Sequence, residues 1–350
     1  MSFASKWLLT TLSLILLSNP VSAFDVLQPL PESPIIPADN PQTVAKIELG
    51  KMLYFDTRLS QLGNLSCNSC HNLAAGGDDD GAIKILSKGE LKRSTPPVWN
   101  AAYMSTNYWD ARKTSLESQT IDHLTDARVM GIVSAKTIEN RIKAIPGYIK
   151  AFAKAFNMNN PVNLENIARA IASFERTLTT PDSEFDRFIK GDKNAISEQA
   201  KRGLKLFTDI GCLSCHFGVN FAGPAPGPAL KMGDGFYELF PNHLGSEYDK
   251  KYNLTADVGR YLITLDRTDT HMWRVPPLRN IALTAPYFHN GSVNSLEEAV
   301  RIMGFVQLKN KLNDRDVSDI VSFLKTLTGK QPEITLPRLP ETSGLSLIKN

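Results

Sequence analysis

A chain of 350 residues is long enough for two compact domains of ordinary size. Its 39 lysines and arginines stand against 36 aspartates and glutamates, and no long basic run occurs, which excludes the electrostatic footprint of a nucleic-acid binder. Four cysteines in an exported chain would ordinarily suggest two disulfides, but their arrangement argues otherwise.

The first 23 residues read as a cleaved signal peptide. Lys6 supplies a basic start, residues 8–17 an apolar core, and Val21-Ser22-Ala23 a small-x-small cleavage pattern. About 20 apolar residues are needed to span a bilayer, and Asn19-Pro20 cuts this run short. No later segment is long and apolar enough to span. A soluble periplasmic protein that binds neither membrane nor nucleic acid is therefore expected, beginning at residue 24.

IELGKMLYF (47–55), with Leu49 and Leu53 on one face, predicts a helix. Cys67-Asn68-Ser69-Cys70-His71 follows. Ile167, Ala170, Ile171, Phe174 and Leu178 recur at helical spacing and predict a closing helix. The same order then repeats: AKRGLKLF (200–207), Cys212-Leu213-Ser214-Cys215-His216, and a closing helix carrying Val317, Ile320, Val321, Leu324 and Leu327. Asn313 with Asp316 reads as the cap of that last helix and Gly329 as its stop. The intervening stretches AGGDDDG (75–81), GPAPGP (223–228) and RVPPLRN (274–280) carry turn and breaker residues. No alternating strand runs appear. The prediction is an all-α protein of two cytochrome c-like domains, 24–180 and 181–335, followed by a tail, 336–350. The boundary is placed near 179–194, and the two cofactor pockets are expected to face one another.

Both cysteine motifs are C-x-x-C-H. Two thiols at this spacing can each add across one vinyl group of a haem, and the histidine that follows reaches the iron. A pair of small disulfide loops or a zinc site would not need a histidine directly after the second cysteine in both places. Cys67, Cys70, Cys212 and Cys215 are thus read as attachment points for two covalent haems, with His71 and His216 as iron ligands.

Around these motifs the sequence resembles the bacterial dihaem cytochrome c peroxidase and MauG family over nearly the whole mature chain. The carriers are LGKMLYFDTRLS (49–60), SCNSCHN (66–72), PPVWNAAY (96–103), YWDARKTSLESQ (108–119) and RVPPLRNIALTAPYFHNGSVNSLEEAV (274–300). The resemblance implies an electron-accepting haem held by His216 and Met272. A thioether opposite imidazole favours ferrous iron and raises the potential. Filling a core gap is the bland alternative for Met272, while Met232 lies in no comparable motif. Trp109 matches the tryptophan lying between the haems of this family, against the alternative of an ordinary buried indole.

In four places the chain departs from that pattern. Most of these peroxidases carry a histidine in the loop 76–95 that caps the peroxide-reacting iron at rest. Here the loop has none, and Leu86 stands near the usual position, so activity without prior half-reduction is expected. Gln119 matches a pocket glutamine, but Val129 replaces the pocket glutamate that would move protons during O–O cleavage. His123, where relatives place a proline, is the candidate replacement: an acid/base group, a sixth iron ligand, or a solvated loop histidine beside Asp122. His289 is expected to be structural or near a haem propionate, and His243 and His271 to be surface or packing residues. A calcium ion at the domain interface is a family feature, but Ser94 stands where relatives have an asparagine.

The expected function is reduction of hydrogen peroxide to water at the His71 haem. Electrons would come from a small cytochrome c or cupredoxin, entering at His216/Met272 and passing by Trp109, with Gln119 and His123 ordering the peroxide. A MauG-like oxidation of a partner protein's Trp or Tyr and a non-enzymatic dihaem carrier are the alternatives, and a homodimer is compatible with either.

Overall fold

The computed structural model describes residues 27–79, 93–132, 134–223 and 237–342, with the backbone of two short strands between 80 and 92. The signal-peptide segment and Met232 lie outside the described residues, and of Leu86 only the backbone is described. Among these residues the fold is helical, as expected. The sheets are two antiparallel pairs, β1 (Ile85–Leu86) with β2 (Gly89–Glu90) and β3 (Tyr237–Leu239) with β4 (Met272–Arg274). No helix among the described residues is long and apolar enough to cross a membrane.

The first core forms where α1 (Val44–Phe55) crosses α6 (Leu164–Glu175). The helices begin where side chains satisfy free N–H groups: Thr43 accepts from Lys46 N and Asn163 from Asn166 N. Leu49, Leu53, Ile167, Ile171 and Phe174 meet between them, joined by Ile138 and Ile142 of α4 (Ala135–Lys143) and Tyr148 and Phe152 of α5 (Pro146–Ala155). The second core repeats the crossing with α8 (Glu198–Asp209) and α12 (Asp314–Lys325), backed by α11 (Leu296–Leu308). Gly50 and Gly203 sit at equivalent places in the two crossings. A Cβ on Gly50 would overlap the Ala170 carbonyl, and one on Gly203 the Asp319 carbonyl. Helix backbones this close admit no side chain.

Asn313 caps α12 as expected, its side chain accepting from Asp316 N. The closing helices are shorter than their apolar spacing suggests: α6 ends at Glu175 and α12 at Lys325. Leu178 and Leu327 lie beyond those ends and are fully buried. Gly329 is no helix stop. It lies four residues past α12, where a Cβ would strike the Thr180 carbonyl.

Thr180 is where the halves meet. Asn100 and Asn280 both adopt left-handed backbone, and each donates its side-chain amide to Thr180 Oγ1, at 2.8 and 2.9 Å. The stretch 179–194 is more than a boundary: it holds α7 (Glu184–Ile189), started by a capping box of Ser183 and Asp186. Phe185 of α7 belongs to the second core. The chain ends cross over. Leu27 packs into the second core, while Ile334 packs on the first and Arg58 donates to the Pro340 carbonyl at 3.0 Å.

Candidate functional site

The first cysteine motif is a single helical turn, α2 (Cys67–Cys70), opened by a capping box between Ser66 and Ser69. His71 N donates to Cys67 O at 2.8 Å, and Tyr54 of α1 donates its hydroxyl to the His71 carbonyl at 2.8 Å. The motif's backbone is thereby locked to the helix crossing. The second motif is built alike: residues Cys212–Ser214 form a 3-10 turn, and His216 N donates to Cys212 O at 3.0 Å.

All four cysteines are free thiols. Burial raises each thiol, Cys70 to about 11 and Cys212 to about 12, and none is joined to another by a disulfide. At His216, Nδ1 lies 2.9 Å from the Phe221 carbonyl. A ring that donates there keeps its Nε2 lone pair for a metal. Burial pushes this imidazole down to about 4, which keeps it neutral. Paired, unbridged cysteines followed directly by a histidine, oriented at the second site by the Phe221 carbonyl, suit a covalently attached haem, and the residues fit that group.

The two proximal sites differ in what lies near them. At the first, the ring of His123 stands beside that of His71, with centroids 6.2 Å apart and planes tilted by 52°. His123 is on the last turn of α3 (Leu116–Thr125), one turn after Gln119 and on the same face. The solvated-loop reading of His123 is therefore wrong: it is a partly buried helical residue whose Nδ1 is enclosed without a hydrogen-bond partner. Burial, then the neighbouring His71, pushes its imidazole down to about 4. Asp122, next to it, is turned away to Arg112 and Lys113. Val129 packs against the first core and offers no carboxylate. Gln119 accepts the Tyr108 hydroxyl on its backbone carbonyl at 3.3 Å.

At the second site the ring beside His216 is Phe207 of α8, at 6.3 Å, a ring with no donor atom. Met272 opens β4, paired to Leu239. Four residues further on, the backbone at Pro276 reaches His216. Trp109 joins the two halves: its indole N–H donates to Ser94 O at 2.8 Å, and its carbonyl accepts Arg274 N at 2.9 Å. It thus abuts the strand that Met272 begins.

Several contributors are not apparent from motif reading. Arg93 bridges Asp257, at 2.7 Å, and Asp110, at 2.5 Å, and lies over the Trp273 ring. The other ring partner of Trp273 is His289, stacked at 4.2 Å, whose Nε2 is enclosed and unpartnered. Ser94 donates its N–H to the His289 carbonyl. His271 is held through Nε2 near the Thr255 carbonyl, and His243 through its backbone to Val306. Glu175, at the end of α6, keeps Oε2 enclosed and unpartnered, and burial raises its carboxyl to about 8. The paired segments Pro96–Asn100 and Pro276–Asn280 could have been found as a repeat. Arg93 and Glu175 carried no such signal. Among the described residues no cluster of three or more His, Cys, Asp or Glu side chains suits a metal ion.

A helical fold used twice, with a cysteine pair followed directly by a histidine in each half, defines a two-haem c-type cytochrome. The chain belongs to the dihaem cytochrome c peroxidase family, whose model matches residues 44–194; a RoxA-like cytochrome c model matches 273–301. It is 40% identical to cytochrome c551 peroxidase of Pseudomonas aeruginosa, covering 90% of this chain and 88% of that one. It is 35% identical to the methylamine utilization protein MauG of Methylorubrum extorquens, over 89% and 86%. Among solved structures, a MauG-like protein associated with microbial copper homeostasis superposes with a TM-score of 0.76 at 30% identity, covering 87% of this chain and 95% of that one. The chain is an oxidoreductase of this family.

Proposed function

We propose that this protein reduces hydrogen peroxide to water, taking electrons singly from a small periplasmic redox protein such as a cytochrome c or cupredoxin. The observation that carries the reading is the unequal furnishing of two otherwise matched sites. The His71 side holds a second imidazole, while the His216 side holds an aromatic ring, with a thioether opening the strand that runs toward Pro276. The bound haems supply the redox chemistry, and each peroxide takes up two electrons and two protons to give two waters.

The chain's own groups divide the remaining work. Cys67, Cys70, Cys212 and Cys215 tether the haems, His71 and His216 hold the irons, and Met272 completes the electron-accepting site. Trp109, bonded toward both halves, provides the path between them. Gln119 offers an amide to hold peroxide, and the neutral imidazole of His123 can take a proton from one oxygen and return it to the other. Export by cleavage of the leader 1–23 would place the protein with its donor. Calcium at Ser94 would need backbone carbonyls and water as ligands.

The test is steady-state consumption of peroxide by the matured two-haem protein supplied with a reduced small cytochrome. Sustained turnover supports the reading, and Trp109→Phe should slow it at least tenfold at unchanged haem content. A second reading rests on Val129 standing where a carboxylate is expected: MauG-like oxidation of a Trp or Tyr in a partner protein. Slow peroxide turnover with a long-lived oxidised state would favour it, and no reaction with peroxide would leave a dihaem electron carrier.

A further inference from the structure

We propose that His123 is the resident sixth ligand of the iron held by His71, so that the cap expected on the loop 76–95 is instead supplied by helix α3. The proposal rests on His71 being a haem ligand and deepens that reading by closing its opposite face.

Geometry and chemistry point the same way. Metal–imidazole bonds of about 2 Å place the centres of two rings on opposite sides of one metal roughly 6 Å apart. The His71 and His123 rings stand 6.2 Å apart. Distance alone does not decide, because Phe207 lies 6.3 Å from His216. What separates the two cases is the donor atom. Phe207 has none, whereas His123 brings a lone pair. Its Nδ1 is enclosed in protein, and the ligating atom would be Nε2. The Nδ1 of His123 has no protein partner, whereas the His71 ring is held by the backbone at Gly77 and Pro96. The neighbours of His123 do not compete for it: Asp122 is engaged by Arg112 and Lys113, and Asp126 by Arg128.

The α3 backbone also holds the ring in place. Ser115 caps the helix, and Asp126 O accepts from Val129 N and Met130 N, closing the turn just after His123. A ligand carried on a capped helix is held more firmly than one on a loop. This reverses the expectation drawn from the missing loop histidine: peroxide gains the iron only by displacing His123.

The experiment is electron paramagnetic resonance of the oxidised, fully matured protein, with haem counted per chain. Two haems and only low-spin signals are expected. In His123→Gly, half of the iron should turn high-spin, and added imidazole should restore the low-spin spectrum. A high-spin haem in the unmodified protein, or an unchanged spectrum in His123→Gly, would overturn the proposal. The measurement on the unmodified protein stands even if the variant misfolds. A count of one haem per chain, with His71 unloaded, would instead overturn the underlying two-haem reading.

Discussion

Glu175 is a carboxylic acid kept neutral by its surroundings, and that has a consequence for stability. The unfolded chain releases this proton near the ordinary value of 4.5, the folded chain only near about 8. Between those values the folded protein holds a proton that the unfolded one has lost. Stability contributed at this site is therefore lost as pH rises from about 5 to 8, and levels off above. Glu175→Gln should flatten that slope and be the more stable form at pH 8, as denaturant titrations at pH 5 and pH 8 would show. A second residue-scale prediction concerns Asp186 and Arg279, paired at 2.8 Å with neither side chain exposed. Asp186 also accepts from Leu30 N and Ser183 N, so Asp186→Ala would leave a buried guanidinium without its counter-charge and two backbone N–H groups without their acceptor. A loss of about 3–5 kcal/mol is expected, read from the denaturation midpoint. At this scale the sequence was most legible where chemistry is contiguous. Five adjacent residues carry each haem motif. The setting of His123 was not legible, because it depends on α3 bringing residue 123 back to residue 71. Arg93 was missed for the same reason, since its carboxylate partner Asp257 is 164 positions away.

The helix pairs are the repeated element, and apolar spacing alone placed them. Spacing could not show why glycine stands at both 50 and 203, because the clash partner lies on a helix more than a hundred residues further along the chain. Gly203→Ala should force α8 off α12 and cost about 1–3 kcal/mol, with Gly50→Ala acting likewise on α1 and α6. Both variants can be compared by thermal denaturation at constant haem content. The same limit explains the ends of the closing helices. Leu178 and Leu327 fit a helical period, yet each is buried by the chain turning inward after its helix has ended. Periodicity records which side chains face the core and not where the hydrogen-bond ladder stops. The helix α7 was hidden because six residues are too few for a period to declare itself, although Ser183 and Asp186 form a readable cap.

At the scale of the molecule, the all-α fold and the doubled plan followed from two motifs and two helix pairs. The joining of the halves did not, because it depends on contacts between segments with no shared pattern. Thr180 takes an amide from an asparagine of each half, and the chain's ends pack on the halves opposite to their order in sequence. Shortening the chain to end at Lys330 should remove Ile334 and Pro340 from the first half and destabilise it by roughly 1–2 kcal/mol. Faster hydrogen exchange in α1 and α5, with α8 and α12 unchanged, would confirm where the loss falls. The crossed ends also bear on how such proteins can be recombined. A gene encoding only one half would specify a body lacking a plug that the other supplies. An exchange of halves with a relative would have to transplant the remote tail along with the half it completes, or the hybrid would carry two mismatched seams.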